Sequence, residues 1–106
     1  MNIELEILRA ISKETMDDVG RIRFILDEDW YSETEIKLRL QQVGIEDYDV
    51  QGIVIHLSDI GHTERRKMIG DPQLQSRVIS NGIDFLNANT EKLSQKRKMR
   101  LFSGEI

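Results

Sequence analysis

Between Tyr31 and Gly61 the chain carries two short helix patterns in direct succession, each with its own start and stop signal. In Tyr31-Ser32-Glu33-Thr34-Glu35-Ile36 the Ser32 hydroxyl is placed to cap the Glu35 amide, while the Glu35 carboxylate reaches back to the Ser32 amide. Tyr31 and Ile36 then stand at the two positions of a hydrophobic staple. Ile36, Leu40 and Val43 supply the buried stripe, and Gly44 ends the helix, with Ile45 folding back on Leu40. Asp47 or Asp49 caps the next helix, whose Val50, Ile53, Val54 and Leu57 recur at i, i+3, i+4 and i+7 before Gly61 closes it.

Two short helices joined by a tight glycine-containing turn read as a helix-turn-helix or as a plain helical hairpin. Beyond Gly61 the helical period is lost. His62 to Ile69 and Leu74 to Ser80 flank the turn cluster Gly70-Asp71-Pro72-Gln73, which predicts a β-hairpin. Its first arm holds Glu64, Arg65, Arg66 and Lys67, its second Arg77, Val78 and Ile79. Ser80 or Asn81 is then expected to cap a last helix that docks Ile83, Phe85 and Leu86 on the core.

Ahead of the helix pair, Ile3, Ile7, Leu8 and Ile11 predict a first amphipathic helix with Glu4, Glu6, Arg9 and Lys13 on its solvent side. From Thr15 to Asp29 the residues Met16, Val19, Ile22, Ile25 and Leu26 fit a helical stripe, with Thr15 and Asp18 as a capping pair. Gly20 weakens that helix, and Ile22, Phe24 and Leu26 alternating with Arg21, Arg23 and Ile25 fit a short strand instead.

The length of 106 residues allows one core, and 39% apolar with 32% charged residues is a globular composition. The expected division is one domain over 1–89 and a basic helix or tail over 90–106. Met1 to Glu6 carries acids where a secretory signal carries bases, and no apolar run approaches the roughly 18 residues of a membrane span, so a cytoplasmic protein is expected. Having no cysteine excludes disulfides and thiolate chemistry. Charge is uneven: residues 1–50 hold 6 Lys/Arg against 13 Asp/Glu, net −7, and residues 51–106 hold 9 against 6, net +3.

The order of helices followed by a two-stranded ribbon and a closing helix resembles the winged helix-turn-helix superfamily over roughly Ser32 to Asn87. The run Val78-Ile79-Ser80-Asn81-Gly82-Ile83-Asp84-Phe85-Leu86 is similar to the end of small MarR- and PadR-like regulators, where the second wing strand enters a Gly-containing, Leu-ending helix. Those families place Thr or Ser where this chain has Ile79. The expected fold class is mainly α with a small antiparallel hairpin, a winged helix. The resemblance implies that the Ser32–Val43 helix is the supporting helix, that the helix from about Val50 to Ile60 enters the DNA major groove, and that Arg65 to Arg77 is a wing meeting phosphate or minor groove. Homodimerisation would run through the Ile3–Ile11 helix or the Leu93–Met99 segment.

The candidate DNA contacts are Gln51 and Ser58 on the recognition helix and Arg65, Arg66, Lys67 and Arg77 on the wing. Against double-stranded DNA as partner stands the outward face of that helix, where Asp59 follows Gln51, Gly52, Ile55, His56 and Ser58, and Glu46, Asp47 and Asp49 precede it. The competing partner is a protein bound by the acidic half, with Trp30, Tyr31 and Ile55 as interface residues if they are exposed; core packing is the plainer role for Trp30 and Tyr31. His56 and His62 form no HExxH pair, no GxSxG elbow or glycine-rich phosphate loop is present, and Asp27-Glu28-Asp29 reads as a solvated run. Neither catalysis, a metal nor a cofactor is expected.

Overall fold

In the computed structural model, which describes residues 2–93, the elements are α1 (Ile3–Ala10), β1 (Lys13–Met16), β2 (Ile22–Ile25), β3 (Tyr31–Ser32), α2 (Glu33–Gln41), α3 (Val50–Asp59), β4 (Thr63–Lys67), β5 (Leu74–Val78) and α4 (Ser80–Ala88). This is a mixed α/β architecture with two antiparallel sheets, ordered β1-β2 and β3-β5-β4. It holds more strand than the single hairpin expected.

Helix α1 starts where the Asn2 carboxamide oxygen accepts the Leu5 amide at 3.2 Å. It then packs against α2, α3 and α4, and every residue from Leu5 to Ile11 is buried. Glu6 and Arg9 therefore do not face solvent as the single-face reading expected: a helix covered on all sides has no solvent side. The buried Arg9 is compensated locally, with Nε donating to Glu14 at 3.2 Å, Nη1 lying 3.8 Å from Glu6, and the guanidinium over the Phe24 ring.

The helix expected over Thr15 to Asp29 is absent, and its strand alternative holds for Ile22–Ile25. β1 and β2 pair antiparallel with Glu14 opposite Phe24 and Met16 opposite Ile22. Asp17 makes the turn, accepting the amides of Val19 and Arg21, and Gly20 takes φ +82°. Asn87 of α4 accepts the Phe24 amide and donates to the Phe24 carbonyl, both at 2.9 Å, so a side chain completes the backbone pairing of β2.

Helix α2 begins with the expected reciprocal cap, Glu35 amide to Ser32 hydroxyl at 3.2 Å and Ser32 amide to Glu35 carboxylate at 3.1 Å. It ends with the expected left-handed glycine: Gly44 has φ +79°, and the Ile45 amide returns to the Leu40 carbonyl at 2.9 Å. Asp49 caps α3 through the Gly52 amide at 3.1 Å. The α2–α3 pair thus lies between β3 and β4 in sequence, while β3 pairs with β5, Tyr31 opposite Ser76.

Neither Ser80 nor Asn81 caps α4. Its N-cap position is Ile79, which offers no side-chain acceptor, and the Ile79 amide instead donates to the His62 carbonyl at 3.3 Å. That crossing is close enough for a Cβ on Gly82 to collide with the His62 carbonyl oxygen and the Val78 side chain. Ile83 and Leu86 bury on the core, and Leu93 joins the same cluster, so the core runs past position 89.

Two substitutions test this docking. Gly82→Ala is expected to lower unfolding stability by about 1–3 kcal/mol through overpacking, and Asn87→Ala by about 1–3 kcal/mol through unpaired Phe24 backbone groups. Denaturant midpoints read both; an unchanged midpoint in either variant contradicts the close approach of α4.

Candidate functional site

The period-two geometry of strands splits the basic run Arg65-Arg66-Lys67. Thr63, Arg65 and Lys67 share one sheet face with Leu74, Ser76 and Val78, and since Thr63, Ser76 and Val78 are buried, that face points to the core side. Glu64, Arg66, Gln75 and Arg77 occupy the opposite face. Arg65 leans on α3, with Nη1 3.3 Å from the Ile55 carbonyl and 3.4 Å from Asp59. Arg66 and Arg77 lie instead over the Trp30 ring, 4.3 and 4.5 Å from its centroid. Arg66 Nε donates to Gln75 at 2.8 Å and Arg77 Nη2 pairs with Glu64 at 2.6 Å. The four expected wing cations therefore do not make one basic face beside α3.

Trp30 is half-buried beneath those guanidinium groups. Tyr31 is only 5% exposed, which removes it as an interface residue. Its hydroxyl donates to Asp27, and Arg39 sits 4.3 Å over its ring while donating to the Ala10 carbonyl at 2.8 Å. Burial, together with the hydrogen bond to Asp27, pushes the Tyr31 hydroxyl up to about 12.

On α3, Gln51 is exposed and Ile55 and Ser58 are half-buried, so only part of the expected reading face reaches solvent. His56 Nε2 lies 3.5 Å from Glu4, and Asp59 is exposed. At the helix start Glu46, Asp47 and Asp49 are all exposed, and among the described residues none of them forms an ion pair. Beside them runs a groove of about 330 Å³ lined by Leu40, Ile45, Val50, Tyr48, Glu46 and Asp47, with Lys37 and Gln41 completing the wall. Tyr48, 40% exposed, is the groove residue that sequence reasoning missed; an aromatic set among three acids in a turn was its visible signal. Residues 2–93 hold 11 Lys/Arg against 18 Asp/Glu, net −7.

His62 stacks on Phe85 with centroids 4.6 Å apart, and among the described residues no group of three or more His, Asp or Glu is placed to hold a metal ion. No described helix is long and apolar enough to cross a membrane. Helix α1 is buried from Leu5 onward and leaves only Ile3 and Glu4 partly exposed for the expected dimer contact. Leu93 is buried, and residues 94–99 of the second expected dimer segment lie outside the described residues. No protein-family model matches the chain, nor does any curated protein or solved structure.

Trp30 is the sole tryptophan, so its emission reports the stacking directly. Arg66→Ala with Arg77→Ala is expected to shift that emission to the red, increase acrylamide quenching, and cost about 0.5–1 kcal/mol per lost contact; unchanged emission contradicts the packing.

The raised Tyr31 value has its own consequence. An unfolded tyrosine ionises near about 10, so Tyr31 contributes stability that is present below that pH and lost as pH rises through about 12. Thermal midpoints measured between those values are expected to fall in the native chain and to fall less in Tyr31→Phe.

Proposed function

We propose that this chain is a winged-helix interaction module that presents the face of α3 and the preceding turn to a protein and does not bind DNA. The winged-helix reading is supported by the order α1, β3, α2, α3, β4, β5 together with the strand order β3-β5-β4. In that arrangement α2 is the supporting helix, α3 the second helix of the pair and β4–β5 the wing. The β1–β2 hairpin between α1 and β3 is an addition to it.

The observation that carries the choice of partner is the acidity of the α3 surface. Lys and Arg contacts to phosphate provide most of the affinity of a DNA-binding domain. Here Glu46, Asp47 and Asp49 stand at the start of α3 and Asp59 at its end, while Arg65 is paired with Asp59, Arg77 with Glu64, and Arg66 is held over Trp30. A duplex approaching the start of α3 meets Glu46, Asp47 and Asp49, none of which is ion-paired among the described residues.

One observation favours the second reading, a DNA-binding regulator. Arg65 and Lys67 lie on the α3 side of the ribbon, and Lys67 has no ion pair among the described residues, so these two cations flank the helix carrying Gln51 and Ser58.

Fluorescence anisotropy with generic duplex DNA at about 50 and 200 mM salt separates the readings. No binding at the lower salt is the expected result. Micromolar binding that falls steeply with salt and is lost in Arg65→Ala with Lys67→Ala would establish the regulator instead.

A further inference from the structure

The turn that joins β4 to β5 holds one apolar side chain out into solvent. The Asp71 amide donates to the Met68 carbonyl at 3.2 Å, and Gly70 takes φ +85° inside that turn. The Gln73 amide donates to the Asp71 carboxylate at 2.9 Å. The Gln73 side chain then clamps the tip to α2, accepting the Thr34 amide at 3.2 Å and donating to the Thr34 hydroxyl at 2.7 Å. On this fixed frame Ile69 is fully exposed and Met68 is 45% exposed, and Lys67 has no ion pair among the described residues. A turn already ordered in water loses little further freedom when it is covered, which favours burying Ile69 against a second surface.

The other end of the same ribbon carries the complement. A groove of about 260 Å³ opens there between Leu26, which is 45% exposed, and the β5–α4 junction at Ile79 and Ser80. Glu64 and Arg77 line it, which places it on the ribbon face that points away from the core. Within the groove Arg77 is neutralised by Glu64, and Asp27 is engaged by the Tyr31 hydroxyl. Glu28 in the lining and Asp29 beside it are exposed and have no ion pair among the described residues. The ribbon is therefore cationic and apolar at its tip, and anionic with an apolar wall at its base.

We propose that two copies of the chain pair through this ribbon face about a two-fold axis, with Ile69 of each copy seated against Leu26 of the other and Lys67 beside the other's Glu28. An isologous contact requires a patch that complements itself when turned end for end, and tip and base here are opposite in charge and alike in exposed apolar content. From Glu64 to Ile69 the chain advances at most about 17 Å, so the axis passes near Arg66 and Gln75. Those two side chains are hydrogen-bonded at 2.8 Å within each copy, with the Arg66 guanidinium held over Trp30. Other apolar positions suit the tip less well. Ile25 shares its strand face with Lys13 and Arg23, which repel Lys67. The α2–α3 groove has Lys37 in its wall, and its Leu40, Ile45 and Val50 are buried. Helix α3 lies on the other side of the sheet, where Arg65 reaches the Ile55 carbonyl. Pairing therefore leaves the α3 surface of both copies open and makes the assembly bivalent for whatever that surface binds.

Sedimentation equilibrium of the full chain across the micromolar range reads the pairing, and a reversible monomer–dimer equilibrium is the expected result. Each substitution acts at both ends of a two-fold contact, so Ile69→Asp and, separately, Lys67→Glu are expected to weaken the dimer about tenfold or more. Both positions are exposed, so thermal midpoints at a concentration where the chain is monomeric stay unchanged. Glu28→Lys is expected to weaken the dimer likewise, and Glu28→Lys with Lys67→Glu in one chain to recover the association to within about threefold. Because the chain has no cysteine, Ile69→Cys chains can be mixed with Leu26→Cys chains. A disulfide between the two variants is expected to form faster than one within either variant alone. A monomer at every concentration, a dimer that survives Ile69→Asp, or charge exchange without recovery overturns the proposal.

Discussion

Tyr31 brings a hydroxyl into a buried position, and the way that hydroxyl and its ring are satisfied ties most of the elements together. An unpaired buried hydroxyl costs about 1–3 kcal/mol, so the hydrogen bond to Asp27 fixes the chain that leaves β2. The backbone of Tyr31 sets the register of β3 against Ser76, and Ser32 beside it caps α2. Above the ring, Arg39 of α2 reaches the Ala10 carbonyl at the end of α1. The β3–β5 pairing, α2 and the end of α1 are thereby positioned from one dipeptide. The buried Arg9 is held apart from this arrangement, by Glu14, Glu6 and the Phe24 ring.

What the sequence made legible was whatever could be decided within about one helical turn. The Ser32–Glu35 cap, the Gly44 stop and the Asp49 cap each involve partners three to five residues apart, and all three form as read. Thr15 to Asp29 failed for the opposite reason. Met16, Val19 and Ile22 satisfy a helical period, Ile22 and Phe24 satisfy a strand period, and the contact favouring the strand comes from Asn87, 63 residues away. The local hint was Asp17 followed by Gly20, a turn signature that competes with a helix there. Glu6 and Arg9 misled because a charged residue reads as solvent-facing unless its buried partner is known, and Glu14 belongs to a strand that was not recognised.

The candidate site shows the same boundary between local and distant information. Arg65, Arg66 and Lys67 are contiguous, yet alternation along β4 sends the middle one to the other face, a consequence already implicit in a strand assignment. That Arg66 and Arg77 converge on Trp30 required the pairing of β3 with β5, which no periodicity encodes. The acids before α3 were plain in the sequence; that they border a groove followed from the path of the turn around Asp47 and from Tyr48 remaining exposed.

The start of α3 carries a physical conflict that bears on what this surface can bind. A helix N-terminus is a favourable place for an anion, because its free amides and its dipole both point outward. In a domain that docks α3 end-on to a duplex, that anion would be a phosphate. Here Asp49 already accepts the Gly52 amide, and Glu46 and Asp47 add negative charge around it. Each stabilises the helix through the same electrostatics that would have drawn in a phosphate. A tethered carboxylate has a large entropic advantage over a diffusing ligand, so the anion site is filled by the chain itself. What remains attractive at this end of α3 is the outer field of those carboxylates, and that field selects cationic groups.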